Sequence, residues 1–139
     1  MKGNPKIIAA LNNALAEELT AISQYMVHSE MYDNWGYGKL HKKFEKTAID
    51  EMKHAEKLIG RIIFLEGRPT VSELKKFHIG AEAKAMIGND LANEICAVKL
   101  YNELIALATE AGDNGTREMV ESILKDEHFH VSYSNQELE

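Results

Sequence analysis

Two short stretches carry the strongest chemical signal: Glu51-Met52-Lys53-His54 and Glu127-His128-Phe129-His130. In each, a glutamate and a histidine stand three positions apart, which on an α-helix sets them on one face, a turn from each other. A carboxylate and an imidazole so placed can share a metal ion. One such pair is common and says little. Here each pair follows a further glutamate by 33 positions, Glu18 before Glu51 and Glu94 before Glu127. Each upstream glutamate is itself followed, seven residues on, by a tyrosine, Tyr25 or Tyr101. The chain therefore repeats the pattern Glu, Tyr, Glu-x-x-His. Two copies of one helical hairpin would bring four carboxylates and two imidazoles together about a pseudo-twofold axis.

The elements that must position these groups are helices. The first is expected to start at Asn4-Pro5, a helix cap followed by proline at the first helical position, and to end near Asn34 before the glycine-punctuated turn Trp35-Gly36-Tyr37-Gly38. The second is expected from about Lys39 to Leu65, stopped by Gly67 and Pro69. Val71 to Ala81 has no helical face and reads as an extended connection. A third helix should run from about Glu82 to Ala111, and a fourth from near Thr116 to the end of the chain. Short turn, long connection, short turn predicts an all-α, antiparallel four-helix bundle with one long crossover between helices 2 and 3. Residues 1–139 are expected to form a single domain.

Each of the four glutamates interrupts an apolar stripe. Glu18 lies seven after Leu11 and four before Ile22; Glu51 lies midway between Phe44 and Leu58; Glu94 midway between Ile87 and Tyr101; Glu127 seven after Val120. Burying four bare carboxylates together costs many kcal/mol in desolvation and repulsion. Cations remove that penalty. One ion would take Glu18, Glu51 and His54, and the other Glu94, Glu127 and His130, with Glu51 and Glu127 as the natural bridges. Oxygen ligands with one imidazole per ion suit iron or manganese. Structural zinc more often uses cysteine in a closed tetrahedron. Tyr25 and Tyr101 are expected to orient ligand carboxylates.

Composition narrows the functional classes. Apolar residues make up 45% of the 139 residues and charged residues 27%, an ordinary soluble balance. The net charge of -6 argues against a nucleic-acid binder, which needs a basic face. Neither a signal peptide nor a membrane span is expected. A lone Cys96 cannot form an internal disulfide, which points to a reducing compartment and a cytoplasmic location. Cys96 is expected to be a small buried hydrophobe. His28, His41, His78 and His128 lie off the ligand stripe and read as surface or packing histidines. Trp35 is expected to pack against a neighbour, and Lys42-Lys43 to be a solvated face.

A closer resemblance covers essentially the whole chain. Met1-Lys2-Gly3, Asn12, Glu18-Leu19, Gln24-Tyr25, Asn34-Trp35-Gly36, Ile49-Asp50-Glu51-Met52-Lys53-His54-Ala55, Phe64-Leu65-Glu66-Gly67, Ile79-Gly80, Asp90-Leu91-Ala92 and Ile123-Leu124-Lys125-Asp126-Glu127 resemble bacterioferritin, a haem-containing member of the ferritin-like di-iron superfamily. The resemblance implies a ferroxidase that converts Fe(II) to Fe(III) at an intrasubunit dinuclear centre, with O2 or H2O2 as oxidant, for iron storage and detoxification. It implies two iron ions per subunit, with Glu18, Glu51, His54, Glu94, Glu127 and His130 as ligands and Tyr25 beside them in the catalytic set.

It further implies a b-type haem shared between two subunits, with Met52 as axial ligand, Leu19, Ile22, Met26 and Ile49 as apolar walls and Lys53 meeting a propionate. Spacing alone places Met52 about 100° around the helix from Glu51, toward another surface, where packing at a dimer interface is the alternative role. Implied partners are further copies of the chain, as a haem-bridged dimer and in a shell of 24 subunits, and a ferredoxin as electron donor; neither nucleic acid nor membrane is implied. Two departures stand out. The chain ends at Glu139, so the family's usual fifth helix is expected to be absent. Lys46 stands one turn before Asp50, where the family's inner-surface iron site uses a histidine. A rubrerythrin-like di-iron peroxidase shares the paired Glu-x-x-His but adds a cysteine-rich domain that one cysteine cannot supply. A haem-bridged dimer without mineral storage is the other alternative.

Overall fold

The structure is a computed structural model that describes residues 2–138. Four helices follow in order: α1 (Pro5–Asn34), α2 (Gly38–Phe64), α3 (Ala83–Ala111) and α4 (Asn114–Leu138). Every boundary but the last lies within about two residues of the sequence expectation; the expected end of the fourth helix, at Glu139, lies outside the described residues. Local chemistry explains the ends. The Asn4 side chain accepts from the Lys6 N–H at 2.8 Å, and Pro5, which has no N–H, occupies a position that needs no donor. Gly112 closes α3 in the left-handed conformation at φ 74. At the end of α2 the left-handed residue is Glu66 at φ 61, not the adjacent glycine. Gly67 serves a close approach instead: a Cβ there would stand 2.7 Å from Ile8 Cγ2.

Asp113 caps α4. Its Oδ1 accepts from the Thr116 N–H at 3.1 Å and its Oδ2 from the Thr116 hydroxyl at 2.6 Å. Arg61 of α2 donates to Asp113 Oδ1 at 2.9 Å and to the Thr116 hydroxyl at 2.9 Å, tying the α3–α4 turn to the neighbouring helix.

Helices α1 and α2 form one long hairpin and α3 and α4 the other; α1 packs on α3 and α2 on α4 to complete the bundle. Residues 67–82 form the expected long crossover, and they run along α1. The contact is polar and mostly through the crossover's main chain. Asn12 bonds Arg68 O and the Thr70 N–H; Thr20 accepts from the Lys75 N–H; Gln24 accepts from the His78 N–H; His28 accepts from the Gly80 N–H. Behind this row, Gln24 and His28 both donate to buried Asp90 on α3.

The interior has three layers. A large aliphatic cluster holds Ile7, Leu11, Leu15, Leu58, Ile62, Leu104, Val120 and Ile123 among others. A smaller aromatic-rich cluster holds Tyr25, Tyr32, Phe44, Met86 and Ile87. On every helix the predicted ligands fall between the two.

Candidate metal centre

The layered core brings all six predicted ligands together. Glu18, Glu51, His54, Glu94, Glu127 and His130 come from all four helices, and each side chain is at most 4% exposed. Their ligand atoms form two groups. One comprises Glu18, Glu51, His54 and Glu127; the other comprises Glu51, Glu94, Glu127 and His130; within each, all atoms lie within 4.8 Å of one another. Glu51 and Glu127 belong to both, the arrangement that bridging ligands require. His54 Nδ1 is 3.1 Å from Glu127, 3.6 Å from Glu51 and 3.7 Å from Glu18. His130 Nδ1 is 3.2 Å from Glu51 and 3.6 Å from both Glu94 and Glu127. The pseudo-twofold relation seen in the sequence is thus present in space.

These groups are not satisfied by one another. Glu18 Oε2, Glu51 Oε1, Glu94 Oε2, Glu127 Oε2 and His130 Nδ1 are buried without a hydrogen-bond partner. They approach within ion-pair distance but lack hydrogen-bond geometry. A buried polar atom left unpaired costs about 1–3 kcal/mol, and more if charged. Five such atoms aimed at two common points fit cations at those points. The protonation pattern agrees. Burial pushes the carboxyls of Glu18, Glu51 and Glu94 above the usual range, reinforced at Glu51 and Glu94 by neighbouring carboxylates. At Glu127 burial acts in the same direction, but the adjacent Glu94 carboxyl and the His130 and His54 imidazoles win and hold it well below that range. Burial lowers the two imidazoles less than the surrounding carboxylates raise them, leaving His54 at about 11 and His130 at about 10. The layer holds protons where it could hold metal ions, and binding metal would release them.

Comparison with known proteins agrees with this geometry. A profile described as a ferritin-like domain matches residues 8–139. The bacterioferritin of Rhodobacter capsulatus is 44% identical over 133 residues, which cover 96% of this chain and 83% of that protein. The bacterioferritin of Brucella melitensis is 38% identical over 139 residues, covering 100% of this chain and 86% of that protein. That of Mycobacterium avium is 37% identical over 139 residues, with 100% and 87% covered.

This chain belongs to the bacterioferritin family.

In this bacterioferritin, two tyrosines couple the halves crosswise. Tyr25 of α1 donates its hydroxyl proton to Glu94 of α3, and Tyr101 of α3 donates to Glu18 of α1 at 2.5 Å. Burial and the adjacent carboxylates raise both phenols well above their ordinary range, so they remain donors. The outer faces of the histidines are held by two residues that the sequence reading left without a role. Asp126 lies 2.8 Å from His54 Nε2, and Asp50 lies 3.5 Å from His130 Nε2. The Asp126 hydrogen bond is of the kind that orients a ligating ring and raises its basicity, and Asp50 stands at ion-pair distance in the matching place. Their signal was present: the repeated unit is Asp-Glu-x-x-His in both copies. Lys46, one turn before Asp50, pairs with it at 3.5 Å.

The residues implied for haem divide into two groups. Met52, Met26 and Ile49 are large apolar side chains lying 43–51% exposed on the outer α1–α2 face. They line a recess of about 180 Å³ with Ser29, Glu30, Glu45 and Ala48. Lys53 is exposed beside them. Leu19 and Ile22 are half-buried against the large aliphatic cluster and do not line that recess. Among the other residues, Cys96 is exposed, contrary to the expectation of burial, because two residues past the inward Glu94 a helix has turned by about 200°. His28 is fully buried on Asp90, His41 is half-buried, and His78 and His128 are exposed. Trp35 packs edge-on against Tyr37 at 6.5 Å. No helix of the described residues is long and apolar enough to cross a membrane.

Proposed function

We propose that this bacterioferritin is a ferroxidase: it binds two ferrous ions as substrate on Glu18, Glu51, His54, Glu94, Glu127 and His130 and oxidises them, in the service of iron storage and detoxification. The observation that carries this reading is the pair of four-residue ligand groups sharing Glu51 and Glu127, with five unpaired buried atoms between them. Each group offers one imidazole nitrogen and carboxylate oxygens, a donor set suited to iron that leaves coordination positions open. A small cavity of about 10 Å³ between α1 and α3, lined by Glu17, Ala21, Asn93 and Ala97, reaches Glu18, Glu51 and Glu94 and has room for about one water.

Ferrous binding displaces the protons held by the raised carboxyls and imidazoles. Each iron then gives up one electron. The two electrons, with two protons, reduce H2O2 to two waters or O2 to H2O2. The chain's own residues do three things: carboxylates offset the charge of the ions, Tyr25 and Tyr101 hold Glu94 and Glu18 in place, and the flanking apolar layers exclude bulk water.

The same resemblance supports a haem-bridged dimer. The donor set fits: a half-exposed methionine sulfur stands in an apolar recess on an outer helix face, and so large an exposed apolar group on one face marks a contact surface. Bound there, haem would supply one-electron transfer for later iron release. Met52 would hold its iron, Met26 and Ile49 would cover the ring edge, and Lys53 would reach a propionate.

Anaerobic loading with ferrous iron followed by air tests the catalytic reading. Oxidation of about two irons per chain is expected, and Glu18→Ala should abolish the fast phase. An unchanged rate in that variant would overturn the assignment. For haem, Met52→Leu should remove the Soret band; a band of unaltered position and intensity would refute Met52 as ligand.

A further inference from the structure

Outside the central layer, the described residues bring one other set of metal-ligand side chains together. Glu30 on α1 and His41 and Glu45 on α2 place one ligand atom each within 4.8 Å of the others. We propose that these three residues form a third metal site, which takes a divalent first-row transition ion through one imidazole nitrogen and two carboxylate oxygens.

The histidine carries the argument. Its Nδ1 is 2.9 Å from the Ser29 carbonyl oxygen and 2.9 Å from the Ser29 hydroxyl. That hydroxyl donates its own hydrogen to the His41 carbonyl at 3.0 Å, so toward the ring it can only accept. Nδ1 therefore faces two acceptors and must carry the proton. In the neutral ring this leaves the lone pair on Nε2, on the side of Glu45. Nε2 to Glu45 Oε2 is 3.8 Å, too long for a hydrogen bond. A ring whose far nitrogen is tied to a backbone carbonyl, with the near nitrogen free, is the arrangement in which histidine ligates metal.

The carboxylates complete the set. Glu45 follows His41 by one helical turn and shares its face. Glu30 reaches the same point from α1, and Asp33 adds negative charge nearby. Metal bonds of roughly 2.0–2.2 Å put adjacent ligand atoms about 3.4 Å apart in a tetrahedron, so the 3.8 Å between His41 and Glu45 must close by a few tenths of an ångström, and Glu30, within 4.8 Å, must rotate inward. Both glutamates are exposed, and their rotation costs little. Three protein ligands with an open side leave room for water, as in exchangeable sites. Glu30 and Glu45 also border the Met52 recess, so the ion would sit on the rim of that face. The site is independent of the central layer and of its ferroxidase role.

Titration of the whole chain with Co2+, followed by calorimetry and visible absorption, tests this. The parent chain should bind three equivalents. Glu45→Ala and His41→Gln should each bind two and lose one set of absorption bands. Glu18→Ala, which damages the central layer, should keep the peripheral band. Glu45→Ala changes only an exposed side chain and so leaves the bundle intact, which far-UV circular dichroism checks. The proposal is overturned if the parent binds two equivalents, or if neither peripheral substitution changes the number bound.

Discussion

The ligand layer and the aliphatic layer beside it are built on the same four helices, and they obey opposite rules. In the aliphatic layer, each buried side chain gains about 25 cal/mol per Å² of apolar surface removed from water. Replacement by a similar shape is tolerated there. In the ligand layer, four carboxylates stand where apolar side chains would serve folding better, and five buried atoms have no hydrogen-bond partner. The lesson is that the centre is a local loss in stability, which packing on either side offsets.

Glu51→Leu offers the largest test of that contrast. Removing a bridging carboxylate should slow iron oxidation by at least about 100-fold. It should also stabilise the metal-free protein by about 1–3 kcal/mol, because a buried carboxyl with an unpaired oxygen is replaced by an apolar side chain. Denaturant unfolding of the metal-free chain checks the second outcome, and a less stable variant would break the contrast. Leu58→Ala in the aliphatic layer should do the reverse. It should cost about 2–5 kcal/mol by the same measurement and leave the number of Co2+ ions bound at the centre unchanged.

Tyr25→Phe sharpens the boundary between layers. It deletes a single proton donor to Glu94, and a loss of about 10–100-fold in metal affinity or oxidation rate is expected, with little change in stability. Asp113→Ala, remote from the centre, should have the smallest effect: about 1 kcal/mol, from the lost helix cap. Burial would raise the Asp113 carboxyl, but bonds from Thr116 and Arg61 together outweigh it and hold the group below the usual range. Its contribution is therefore present above the ordinary aspartate value and lost as pH falls through the depressed one. The melting-temperature gap between parent and variant should be full near neutral pH and close in strong acid.

Much of this was legible in the sequence. The helices were marked by Asn4-Pro5, the Trp35-Gly36-Tyr37-Gly38 turn and the apolar stripes, and the convergence of the six ligands by a repeat that set glutamates on those stripes. What was less legible has a common physical cause. Asp50 and Asp126 precede ligands, and their role depends on the ring of the opposite hairpin, which spacing within one helix does not show. Asn12, Thr20, Gln24 and His28 form a polar row at helical spacing, and only the crossover lying over them explains why Thr20, Gln24 and His28 are buried. Cys96 follows its angle from Glu94 rather than the usual burial preference of cysteine, and is exposed. The Met52 recess was reached through resemblance; periodicity alone gave only its direction.

The way the crossover is held has a consequence for how the chain can vary. Residues 71–79 are all exposed, and α1 grips this strap by the main-chain amides of Lys75 and His78. Those groups are the same whatever amino acid bears them. Most strap positions are therefore open to substitution without slipping its alignment on α1. Gly80 is the exception, since any larger residue would drive its Cβ to 2.7 Å from the Met86 nitrogen. Evolution has here a tether whose path is constrained and whose outward surface is nearly free to be rewritten.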